Sequence, residues 1–135
     1  MNNLQIISSE ILNRITTKRV GETKFFEHAR FLSNLSDLSS QLSDSEVKFV
    51  VFGIREDIGV LANHGQPGTK DTWDIALKSL LNLQSNQFTN PSNVLILGHL
   101  DFTELYDALA TVASDPLLDI YRTYVEKIDQ CVSQL

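Results

Sequence analysis

The chain has 135 residues, a formal net charge of −6, 42% hydrophobic and 21% charged residues, which is ordinary for a globular protein with room for one core. The acidic balance, with no basic run beyond Lys18-Arg19, argues against nucleic acid as a partner, and no stretch approaches the ~20 apolar residues of a membrane helix. Cys131 is the single cysteine and reads as a small apolar helix residue, no secretory signal is apparent around Glu10, and a reducing, cytoplasmic setting is expected.

In chain order, residues 1–46 read as an N-terminal helical segment. Apolar side chains at 4, 6, 7, 11, 12 and 15 predict a short helix starting near Ser8 or Ser9, where a hydroxyl can cap free N–H groups. Residues 18–27 are polar around Gly21 and read as irregular. Phe31, Leu32, Leu35, Leu38 and Leu42 fit a second short amphipathic helix, rich in serine and closed by Ser43-Asp44-Ser45.

Residues 47–135 read as a βαβ unit followed by a C-terminal helix. Val47 to Gly53 is β-branched and aromatic and predicts a buried strand. A glycine-rich loop follows over 54–70. A helix over about 71–83 comes next, with apolar residues at 73, 76, 77, 80 and 81 and Asp71 as its N-cap. Residues 84–93 carry turn chemistry, and Val94 to Gly98 predicts a second buried strand, parallel to the first. Residues 99–113 read as a loop with a helical turn near Glu104 to Ala110. The last helix starts with Asp115 as cap and Pro116 at the first position, and its apolar stripe falls at 117, 121, 124, 125, 128, 131, 132 and 135.

Two all-apolar strands need cover on both faces, and alone they leave bare edges. The final stripe also runs out with no terminator. The expectation is therefore an α/β chain forming the N-terminal βαβ portion of a longer, doubly wound parallel-sheet protein. The alternative is a compact mini-domain with its edges covered by helices, or paired in a dimer.

The run Val50-Val-Phe-Gly-Ile-Arg-Glu-Asp-Ile-Gly-Val-Leu-Ala-Asn-His-Gly-Gln-Pro-Gly68 resembles the first strand and following loop of the arginase, agmatinase and formiminoglutamase (ureohydrolase) superfamily. Gly21-Glu-Thr-Lys24 and Leu97-Gly-His-Leu-Asp101 are similar to its formiminoglutamase-like and arginase-like branch. The resemblance implies an arginase-like three-layer α/β fold, incomplete here. It also implies hydrolysis of a guanidino or formimino carbon by water bridging two manganese ions. The motifs that hold manganese in that family, Gly-Gly-Gly-His, Asp-x-His-x-Asp and Asp-x-Asp, do not occur here. No catalytic residue and no metal ligand is therefore carried over, and this chain is not expected to bind Mn²⁺ tightly. Its partners would be the remainder of a longer polypeptide or a second copy of itself.

Asn63, His64 and Gly65 are the substrate-binding candidates, as part of a loop at the mouth of the complete site; the bland reading of His64 is a histidine bonded to backbone. Glu56 and Asp57 could do acid–base work, but neighbouring side chains in a turn point apart, so a role receiving loop N–H groups or pairing with Arg55 is favoured. His99 and Asp101 alternate on a strand and share a face, yet two ligands without a third make a poor metal site. His28 has no readable setting. Residues 63–68 lack the spacing of a phosphate-cradling loop, so a small nucleotide-binding domain is the third and weakest reading. Trp73 reads as core. Beside the enzyme fragment stands a stand-alone interaction module that associates through its sheet edge.

Overall fold

A computed structural model describes residues 3–88, 90–112 and 118–135. Its regular elements are β1 (Leu4–Gln5), α1 (Ser9–Ile15), β2 (Arg30–Phe31), α2 (Leu38–Leu42), β3 (Phe49–Arg55), α3 (Ile58–Ala62), α4 (Thr72–Leu81), β4 (Val94–Asp101), α5 (Thr103–Thr111) and α6 (Leu118–Ser133). The chain is α/β, with a four-stranded open sheet.

The sheet is larger than the two strands expected. β4 is its hub and pairs with β1, β2 and β3. β2 runs parallel to it, with Arg30 opposite Leu95 and Phe31 opposite Ile96. β3 starts beside it, where the Lys48 N–H donates to the Asn93 carbonyl at 2.8 Å. β1 runs the other way: the Asp101 N–H donates to the Asn3 carbonyl at 2.9 Å, while the Gln5 carbonyl lies against Gly98. The sheet is therefore mixed rather than purely parallel. At Gly98, φ is +118° and a Cβ would collide with the Gln5 carbonyl, so only glycine lets β1 close on β4. β1 and β2 are two residues each, too short to show a period of two.

The chain forms two compact units. One comprises Gln5–Gly53 and Trp73–His99. Its core is Phe25, Leu77, Leu81 and Ile96, with Leu12, Ile15, Phe31, Val51, Trp73 and Leu80 packed on it. α1 begins where expected: Ser8 is the N-cap and its hydroxyl accepts the Ile11 N–H at 3.2 Å, worth ~1 kcal/mol. Leu4, however, belongs to β1 and not to that helix. The amphipathic helix expected across Phe31–Leu42 is instead β2, a 3₁₀ turn over Leu35–Asp37 and the five-residue α2. α4 matches its apolar spacing and turns Leu77 and Leu81 inward. A 3₁₀ turn over Thr69–Asp71 leads into it, in place of the cap expected at Asp71.

The other unit comprises Met1–Leu4, Ile54–Thr72 and Leu100–Leu135. Its buried apolar residues include Leu4, Ile58, Ala62, Leu100, Phe102 and Ile128. α3 lies inside what read as a loop, and it packs on α6. The stripe of α6 is real: Ile128 is buried, and Tyr121, Tyr124, Val125, Cys131, Val132 and Leu135 are half-buried. Asp115, Pro116 and Leu117 lie outside the described residues. Among the described residues, no helix is long and apolar enough to cross a membrane.

The strand expected to be buried over 47–53 is shifted and largely uncovered. β3 spans Phe49–Arg55, and only Gly53 is buried on it. Phe49 is 65% exposed, and Val50 and Ile54 are exposed as well. β4, by contrast, buries Leu95, Ile96, Leu97 and Leu100, at ~1.5–3 kcal/mol per side chain.

Candidate functional site

The carboxyl ends of β3 and β4 open onto one cavity of about 380 Å³. Ligands of open α/β sheets bind at this end of the strands. Arg55 enters from β3, Asp101 from the end of β4, Thr103, Tyr106 and Asp107 from α5, and Lys70 and Asp71 from the turn before α4. The lining is thus two cations, three carboxylates, one hydroxyl and one phenol. The Arg55 guanidinium stands 3.7 Å from the Asp71 carboxylate. The Lys70 ammonium sits 4.8 Å from the centroid of the Tyr106 ring, an attraction of ~0.5–1 kcal/mol at an exposed site.

Asp57 bonds to Tyr106 of the cavity wall. It is 3% exposed. Its Oδ1 accepts the Tyr106 hydroxyl proton at 2.5 Å, and its Oδ2 accepts the Gly68 N–H at 2.8 Å. The same hydroxyl accepts the Asp57 N–H at 2.7 Å. One carboxylate therefore ties the start of α3 to α5 and to the end of the glycine-rich loop, where Gly68 has φ +133°. Burial first, and the hydrogen bond to Asp57 second, push the Tyr106 phenol above its ordinary range. Tyr106 is accordingly a neutral donor aimed at Asp57, not a base.

Glu56 is used in the same structural way. Its Oε2 accepts the Gly59 N–H at 2.8 Å in the first turn of α3, and its carbonyl accepts the Thr69 hydroxyl at 3.0 Å. Both acids accept backbone N–H groups, Asp57 from the loop at Gly68 and Glu56 from the first turn of α3. Asp101 accepts the Thr103 N–H and hydroxyl at 2.9 and 2.7 Å, which starts α5.

Asn63, His64 and Gly65 end α3. The Gly65 N–H donates to the Val60 carbonyl at 2.8 Å and the His64 N–H to the Leu61 carbonyl at 3.0 Å, with His64 at φ +59°. This pair of bonds is a Schellman cap. The Asn63 side chain donates to the Gly59 carbonyl at 3.0 Å. None of the three lines the 380 Å³ cavity. Of the residues that do line it, Arg55, Asp71 and Asp101 stand out in the sequence, and Lys70, Thr103, Tyr106 and Asp107 do not. The missing signal was positional: a strand reaching Asp101 puts the next turn, with Thr103 and Tyr106, at the ligand end of the sheet.

Among the described residues, no three or more His, Cys, Asp or Glu side chains are grouped as a metal ion requires. The arrangement can bind a small ligand that carries both signs of charge. No family model, no curated protein and no solved structure matches this chain.

Proposed function

We propose that this chain is the N-terminal part of a ureohydrolase-like enzyme, of the arginase or formiminoglutamase kind, that hydrolyses a C–N bond of a guanidino or formimino substrate. The observation that carries the reading is the run Val50 to Gly68, which resembles that family and forms the strand end and loop beside the charged cavity. The manganese of such enzymes, when bound, supplies a water activated near neutral pH. Its ligands would come from other parts of the polypeptide. The residues of this chain would form one wall of the substrate mouth. Arg55 and Lys70 suit a substrate carboxylate, and Asp101 and Asp107 suit an amidinium. Asn63 to Gly65 would shape the rim through the cap of α3.

Two measurements test this. Sequencing the gene beyond Leu135 should reveal an open frame that runs into Gly-Gly-Gly-His and Asp-x-His-x-Asp motifs; a frame without them ends the proposal. The 135-residue chain, supplied with Mn²⁺ and offered arginine or formiminoglutamate, should release neither urea nor formamide. Steady turnover by this chain would overturn the assignment of the chemistry to other residues.

A second reading is an interaction module that pairs through β3. The exposed Phe49, Val50 and Ile54 favour it.

A further inference from the structure

We infer that the unit formed by residues 5–53 and 73–99 carries a binding site for a compact dianion, of the phosphate monoester class. The site is a cavity of about 550 Å³, lined by Arg19, Lys24, Lys78, Thr17, Ser79 and Asn82 with Ile15 as its apolar contact. That volume lies within the range of small-molecule pockets.

The walls are built rather than incidental. Asn82, just past α4, fastens them: its amide nitrogen donates to the Ile15 and Lys78 carbonyls, both at 2.8 Å, and its oxygen accepts the Thr17 N–H at 3.0 Å. The segment bearing Lys24 is fixed by the Phe25 N–H donating to the Leu83 carbonyl and the Ser85 N–H donating to the Thr23 carbonyl, each at 2.8 Å. Lys24 itself is 8% exposed, an unusual setting for an ammonium.

Charge decides the ligand. Lys24 holds Glu22 at 2.6 Å, and Arg19 reaches the same carboxylate at 4.0 Å. Three lining cations meet one carboxylate, Glu22, among these pairs, so the cavity keeps a positive excess. Lys18 and Glu27, 3.7 Å apart, cancel each other. Asp74, one turn before Lys78 on α4, sets an opposite charge beside that ammonium and lowers the excess without removing it. The carbonyl end of the α4 dipole offsets only about half a charge. In a chain of net charge −6, this is a local excess of the opposite sign. A phosphate monoester carries about −1.5 to −2 at neutral pH and accepts hydrogen bonds from the guanidinium, the ammonium groups and the Thr17 and Ser79 hydroxyls. No aromatic ring lines the cavity, so it offers a nucleobase no stacking surface.

The inference is independent of the ureohydrolase reading. Its test is a titration of the full chain at fixed ionic strength with inorganic phosphate, glucose 6-phosphate and succinate, followed by amide chemical shifts and calorimetry. Saturable binding of both phosphates, tighter than succinate, with shifts at Arg19, Lys78 and Ser79, is expected. Arg19→Gln with Lys78→Gln should weaken it about tenfold or more without altering the thermal melt, since both are surface charges. Lys127→Gln, which lines no part of the cavity, should change nothing. Absence of saturation, equal binding by the double variant, or preference for succinate would each overturn the proposal.

Discussion

Asp57 commits both carboxylate oxygens to the fold, and Tyr106 answers it with donor and acceptor at once. Tyr106→Phe would leave the Asp57 N–H and one buried oxygen short of a partner. A destabilisation of about 1–3 kcal/mol is expected, read as a lower urea midpoint at unchanged slope. The pH dependence has a definite sign. Folding favours the neutral phenol, so its contribution is whole below the ordinary tyrosine value of 10.0 and is lost as the pH climbs through Tyr106's own higher value. Spectrophotometric titration should show a phenol ionising late, and Tyr106→Phe should remove that late step. His64 presents the opposite case, a residue at odds with its backbone. It takes the left-handed φ of +59° that glycine takes freely. His64→Gly should therefore stabilise by about 0.5–1 kcal/mol and raise the thermal midpoint by a few degrees. A lower midpoint would show that the imidazole holds something the cap does not need. The acids Glu56 and Asp57 were legible because adjacent side chains in a turn diverge. Tyr106 was not, because 49 residues separate it from Asp57 and no local spacing rule spans that distance.

Elements with a strong period were readable, and those decided by their neighbours were not. α1, α4, α6 and β4 have patterns long enough to declare themselves. α3 has five residues in a glycine-rich run, below the length at which a helix stands alone, and it exists because α6 covers it. β3 shows the limit from the other side. Its composition promised burial, yet only one of its faces is used. Val51 packs in the core and Gly53 lies under the Trp73 ring, while the alternate set Val50, Phe52 and Ile54 faces away. Val50 and Ile54 are exposed and Phe52 is half-buried. An apolar strand face of this kind seeks cover. Val50→Thr with Ile54→Thr keeps β-branching while removing the apolar stripe. If the chain pairs through β3, wild-type protein should sediment with a mass that rises with concentration, and the double variant should remain at 15.2 kDa. A wild-type chain that stays monomeric at high concentration would remove the interaction-module reading.

At the scale of the whole molecule, each compact unit is assembled from segments far apart in sequence. Gln5–Gly53 joins Trp73–His99, and Ile54–Thr72 joins Leu100–Leu135. Pattern rules act over a few residues, which is why the helices were visible and their grouping was not. The grouping itself predicts how the chain responds to loss of its last helix. α6 covers α3, where Ile58 and Ala62 are buried, and contributes Ile128 to the same unit. The core of the other unit, around Phe25, Leu77, Leu81 and Ile96, contains no residue of α6. A chain lacking residues 118–135 should therefore lose hydrogen-exchange protection at the Leu61, His64 and Gly65 amides, which close α3 and its cap. The Leu32 amide, bonded to Ile96, and the Phe25 amide, bonded to Leu83, should keep most of theirs. Proteolysis should then fall first within residues 54–70. Uniform loss of protection at all five amides would mean that the two units unfold as a single cooperative body.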